Sequence, residues 1–103
     1  MYKLNVAERL VTMDILPKAG TFIEMKVVQG IIKKLSLSNE DIISYDITQK
    51  DGRVTWNNKG DEPREFELDQ TEVAIVIKSL RNLDETGGVT QETIPVYEKF
   101  LQV

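Results

Sequence analysis

Eight carboxylates, Asp46, Asp51, Asp61, Glu62, Asp69, Glu72, Asp84 and Glu85, are the side chains of this sequence that could build a hard-cation site or a pair for general acid–base work. Their spacing matches neither an EF-hand loop nor a helical His-Glu arrangement. Turn chemistry accounts for Asp51 and helix capping for Asp69, while Asp61-Glu62 and Asp84-Glu85 sit in polar loop runs. A hydrolase built on paired carboxylates also needs a substrate cleft, which 103 residues can hardly enclose. The chain has no histidine and no cysteine, which removes the commonest general base, the thiolate nucleophile, disulfides and the usual ligands of transition metals. Gly60 and Gly87-Gly88 belong to no Walker loop or dinucleotide fingerprint and read as turn and helix-end geometry. No catalytic, cofactor-binding or metal-ligating residue is assigned, and the chain is read as a non-enzyme without a cofactor.

Binding chemistry has more to work with. Residues 6–35 read as two helices joined by a short glycine-containing turn, a helix-turn-helix outline with Lys26, Lys33 and Lys34 as phosphate contacts. The hairpin tip, Lys50 and Arg53 beside Asp51-Gly52, then resembles a wing. Against this, the short helix before the hairpin opens Asn39-Glu40-Asp41, which repels phosphate, and the formal net charge is −4. Residues 1–35 carry six basic and three acidic side chains, and residues 36–103 carry seven and fourteen. That asymmetry is either a device for self-association or partner choice, or ordinary variation on a solvated surface, the default reading. Trp56 and Tyr45 are the aromatics of a potential recognition platform, with sheet-to-helix anchoring as the preferred account. Asp14 falls, at 100° per residue, inside the apolar arc of its helix about 80° from Val6. A bond to a backbone N–H or to Lys18 is favoured there over a contact at a subunit boundary.

The elements follow from period and punctuation. Asn5, Thr21 and Asp69 each precede a glutamate by three positions, so each starts a helix; Thr21 has the sequence of a full capping box and the other two are looser relatives. The first helix, about 6–16, carries Val6, Leu10 and Met13 flanked by Ala7 and Val11, and ends at Pro17-Lys18-Ala19-Gly20. The second, about 22–35, is apolar over roughly half its circumference through Ile23, Val27, Ile31, Met25, Val28, Ile32 and Leu35. Val28, Ile31, Ile32 and Leu35 are expected to be buried within the protomer. Ser38 caps a short helix over 39–43. Asp51-Gly52 then turns a hairpin that pairs Lys50 with Arg53, Thr48 with Thr55 and Ile47 with Trp56, the last pair facing the core. Residues 64–68 alternate as a third strand. Val73, Val76, Ile77, Leu80 and Leu83 form the stripe of a fourth helix that ends in Asp84-Glu85-Thr86-Gly87-Gly88. A last helix, about 91–102, keeps Pro95 in its first turn or so.

With 41% hydrophobic and 29% charged residues, the chain is expected to fold as one α+β domain spanning 1–103. Its expected architecture is three N-terminal helices, a three-stranded antiparallel sheet with a β-hairpin, and two C-terminal helices. No apolar run approaches the ~20 residues that span a bilayer, and Met1 to Asn5 lack signal-peptide features, so a soluble cytoplasmic protein is expected.

The run Ile15-Leu16-Pro17-Lys18-Ala19-Gly20-Thr21-Phe22, with Val54-Thr55-Trp56-Asn57 and the closing Tyr97-Glu98-Lys99-Phe100, resembles small uncharacterised proteins of tailed phages and prophages. The resemblance spans most of the chain and carries no active or binding residue. It implies a phage accessory or virion-associated protein that works by binding, in the host cytoplasm or the virion. The expected function is therefore a non-enzymatic protein–protein interaction or assembly module. The expected partner is a protein, a second copy of the chain included, with the last helix as the expected contact and no membrane. A helix-turn-helix-like nucleic-acid binder is the alternative.

Overall fold

Four short polar side chains start four of the helices. In the computed structural model, which describes residues 1–103, Asn5, Thr21, Ser38 and Asp69 accept from the backbone N–H three residues on. They open α1 (Val6–Ile15), α2 (Phe22–Leu35), α3 (Asn39–Ser44) and α4 (Gln70–Thr86). The reciprocal bond, from the N3 carboxylate back to the cap N–H, forms at Asn5, Ser38 and Asp69. At Thr21 the carboxylate of Glu24 instead accepts from the threonine hydroxyl at 3.1 Å, so the expected ranking of the boxes is reversed. Gly87, at φ 72°, stops α4 in a left-handed conformation that suits glycine, and the Gly88 N–H returns to the Leu83 carbonyl at 2.7 Å. The last helix, α5 (Ile94–Leu101), begins later than expected because Thr90 and Thr93 close a turn ahead of it.

The expected three-stranded sheet is two separate antiparallel pairs. The hairpin strands β2 (Thr48–Lys50) and β3 (Arg53–Thr55) pair in the expected register, Thr48 with Thr55 and Lys50 with Arg53. Asp51 and Gly52 both take positive φ, as the tight turn requires. The third strand, β4 (Arg64–Phe66), does not join them. It pairs with an unexpected strand at the N-terminus, β1 (Tyr2–Leu4), so that Tyr2 faces Phe66 and Leu4 faces Arg64. Side-chain alternation explains the preference. Leu4 and Phe66 enter the core, and Tyr2 stacks on Phe100 of α5 with ring centroids 4.4 Å apart. Hairpin residues are almost all exposed and offer no apolar face to compete. Ile47 and Trp56 lie one step beyond the paired residues and are half-buried, so Trp56 is not the core anchor that the pairing suggested.

One core joins β1, β4 and the long helices. Val28, Ile31 and Leu35 of α2 meet Val76 and Leu80 of α4, Val96 and Phe100 of α5, and Leu4 and Phe66. Each such side chain contributes roughly 1.5–3 kcal/mol on burial. Val96 and Phe100 of α5 belong to this core, while Ile94 remains exposed. Ile32 departs from expectation: it remains 40% exposed.

The first helix sits rotated from its expected pose. Its buried residues are Val6, Glu8, Arg9 and Thr12, continued by Leu16, whereas Ala7, Leu10 and Val11 are only half-buried. Arg9 is 1% exposed, and this rotation is possible because its donors are met. Its Nε donates to the Leu35 carbonyl at 3.0 Å, and an Nη donates to the Ser36 carbonyl at 2.9 Å and to Asp41 at 3.1 Å. Carbonyls at the end of a helix lack intrahelical partners and carry partial negative charge, so a guanidinium there caps α2.

Candidate interaction surface

Buried charge is confined to three ionic clusters, and each centres on the N3 acid of a capping box. Glu8 caps Asn5 and accepts from Lys99 of α5 at 2.7 Å. Glu72 caps Asp69 and accepts from Lys34 of α2 at 2.5 Å, a bond that raises the lysine's pKa. Asp41 receives the Ser38 N–H at 3.1 Å, Arg9, and Arg64 of β4 at 2.9 Å, and both guanidinium groups lie over the Phe66 ring, 4.8 and 5.2 Å from its centroid. Burial pushes the Asp41 carboxyl up, but the Ser38 N–H and the two guanidiniums outweigh it and hold the pKa at about 2. No buried side-chain polar atom lacks a partner.

The remaining carboxylates are scattered. Asp51 forms the hairpin turn, Asp61 accepts from the Trp56 indole N–H at 3.0 Å, and Asp84 accepts from the Tyr97 hydroxyl at 3.1 Å. Burial, then that bond to Asp84, raises the Tyr97 pKa. Asp46, Glu62 and Glu85 are exposed. The structure brings no three His, Cys, Asp or Glu side chains together at a metal-binding spacing.

Of the lysines suggested as phosphate contacts, Lys34 is held by Glu72, while Lys26 lies 6.0 Å over the Phe22 ring and reaches Gln29 at 3.3 Å. Lys33 is exposed. Lys50 and Arg53 stand on a hairpin whose two strands are solvent-exposed except for Val54. Asp41, read as a phosphate-repelling carboxylate, is instead buried between two arginines.

The surface has several apolar depressions, and two of them adjoin the outward faces of α1 and α2. One runs along the outward face of α2, about 460 Å³, lined by Phe22, Met25, Lys26, Val28, Gln29 and Ile32. Phe22 is 69% exposed and its neighbour Ile23 is 77% exposed, in a helix that otherwise feeds the core. The other, about 370 Å³, lies where α1 faces Trp56 and the start of α5. Its apolar lining is Ala7, Leu10, Val11, Trp56 and Pro95, with Glu8, Glu92 and Asn5 completing it. Trp56 reaches this position by packing on Gly60, in the 3-10 turn Asn58–Asp61 that touches α1; a Cβ on Gly60 would stand 2.5 Å from the indole. Nothing among known protein families, curated proteins or solved structures matches this chain.

Two signals for these surfaces were present in the sequence. The apolar arc of α2 is wider than one packing layer uses, and its surplus is the exposed strip. Asp14 is exposed in the structure, on the outward arc of α1 beside Leu10 and Val11. A carboxylate inside an apolar arc marked a face turned toward solvent, so Asp14 needs no buried partner.

Proposed function

We propose that this chain is a small non-enzymatic protein-binding or assembly module, working as a phage accessory or virion-associated protein, and that it binds through the outward face of α2. The observation that carries the reading is the exposure of Phe22 and Ile32, which line one side of α2 with Met25, beside Lys26 and Lys33. Exposed single apolar residues are ordinary, but a contiguous apolar strip rimmed by charge is the usual form of a protein contact. Phe22 and Ile23 add little to the core, so folding supplies no reason for a phenylalanine and an isoleucine there.

A photo-crosslinking amino acid at position 22, in the full chain within its native cell, tests the reading. Adducts with protein, including a second copy of the chain, support it. Adducts with nucleic acid, or none, overturn it.

The helix-turn-helix alternative is favoured by one observation, the projecting hairpin with Lys50 and Arg53 at its exposed tip. A salt-sensitive shift of duplex DNA that Arg53→Glu abolishes would establish it. The net charge of −4 and the engagement of Lys34 by Glu72 rank it second.

A further inference from the structure

We propose that copies of this chain associate head to tail, with the α2 strip of one copy seated in the α1–Trp56 groove of the next. The inference rests on the reading of α2 as a binding face and names its partner as a second copy of the chain. Charge complementarity decides the occupant. The lining of the α2 depression contains one base, Lys26, and no acid. The lining of the groove contains two acids, Glu8 and Glu92, and no base. Glu8 is already neutralised by Lys99, which leaves Glu92 as the free charge of the groove, with Asp61 adjoining it through its bond to Trp56.

Both surfaces supply the apolar contact that a docked helix needs. Phe22, Met25 and Ile32 fall on one side of α2, at spacings of three and seven residues, and present a ridge. Leu10, Val11, Trp56 and Pro95 present a concave apolar floor in return. Phe22 can enter beside Pro95 and Trp56 while Lys26, one turn on, reaches toward Glu92.

Pairing like with like is the worse arrangement. Two α2 faces crossing antiparallel about Gln29 would set Lys26 of one copy beside Lys33 of the other, twice, with no carboxylate in the lining. Two grooves face to face would oppose Glu92 to itself. The contact is therefore between unlike surfaces, and each copy keeps a free strip at one end and a free groove at the other. Such contacts close into rings or continue into open chains, according to the rotation between copies.

Sedimentation of the full chain tests this with two blocked variants. Phe22→Asp spoils the strip and leaves the fold, since an acid in the first turn suits the helix dipole. Leu10→Lys spoils the groove at a half-buried position outside the core. Far-UV circular dichroism and melting establish that both are folded; if Leu10→Lys is not, Ala7→Glu replaces it. The wild type is expected to grow beyond 11.8 kDa with concentration, and each blocked variant to stay at that mass. An equimolar mixture of the two is expected to give a dimer and nothing larger, because one intact strip meets one intact groove. Lys26→Glu and Glu92→Lys should each weaken association by about tenfold, and the double swap should restore it.

A wild type that stays monomeric up to about 1 mM overturns the proposal. So does a mixture of blocked variants that remains monomeric while the wild type assembles, and so does a blocked variant that dimerises by itself, which would indicate pairing of like surfaces. A monomeric wild type that still crosslinks to another protein from position 22 refutes self-association alone and leaves α2 as the binding face.

Discussion

Replacing Asp41 by asparagine removes the charge at the centre of the Arg9–Arg64 cluster and turns the oxygen that accepts from Arg64 into an N–H donor. The amide oxygen can still accept from the Ser38 N–H, so the start of α3 survives. What is lost is the preference for the ionised form. The folded carboxyl titrates at about 2 against an ordinary 3.8, so the folded state holds on to fewer protons than the unfolded one. Its contribution is therefore complete above the ordinary value and disappears as pH falls through the folded one. At neutral pH it is worth about 2 kcal/mol, falling to roughly half of that near pH 3 and to little near pH 2. Asp41→Asn should therefore be less stable by about 2–3 kcal/mol at neutral pH, lowering the melting temperature by roughly 10 °C or more in a domain of this size. Urea unfolding of both proteins across this pH range, followed by circular dichroism, measures the gap directly. Other carboxylates protonate in both proteins, so their effects cancel in the difference. Equal stability at neutral pH, or a gap that stays undiminished near pH 2, would refute the account of Asp41 as a carboxylate stabilised by its two arginines.

Gly60→Ala forces a Cβ into the Trp56 indole and should cost about 1–3 kcal/mol, with a shift in tryptophan emission; an unchanged spectrum and midpoint would contradict the packing. Ile23→Ser should change stability by no more than ~0.5 kcal/mol in thermal melts, since its side chain supports nothing in the protomer. Glu72→Ala removes the Asp69 back-bond together with the partner of Lys34 and should cost about 1–2 kcal/mol in urea titrations. Deleting residues 91–103 takes Val96 and Phe100 from the core and should unfold the chain; a folded, cooperative remnant in melts would mean that α5 is dispensable.

Local signals were legible and long-range choices were not. Asn5, Thr21, Ser38 and Asp69 marked the helix starts, and Asp51-Gly52 fixed both the hairpin and its register, because caps and tight turns are decided by residues a few positions apart. Which strand β4 would pair with depended on Leu4 and Tyr2, a three-residue alternation too short to read against the polar stretch around it. The rotation of α1 was hidden for a different reason. Hydrophobic patterning assigns Leu10 to the inside and Arg9 to the outside, and only the combined supply of Leu35, Ser36 and Asp41 acceptors, from 26 to 32 residues away, makes the reverse favourable. The candidate surfaces inherit that error. Misreading α1 concealed the groove, although Asp14 and the surplus apolar width of α2 pointed toward both faces.

The three buried capping acids have a dynamic consequence. Helix ends in most proteins fray independently, since their last bonds break without disturbing the interior. Here Glu8, Asp41 and Glu72 each hold the first turn of one helix and a cation carried by a different element. Opening the first turn of α1, α3 or α4 means releasing Lys99, Arg9 with Arg64, or Lys34. Amide protons in those first turns should therefore exchange with solvent at rates close to those of the central core, whereas α2, whose Glu24 bonds only its own Thr21, should exchange fastest at its start. That turn carries Phe22.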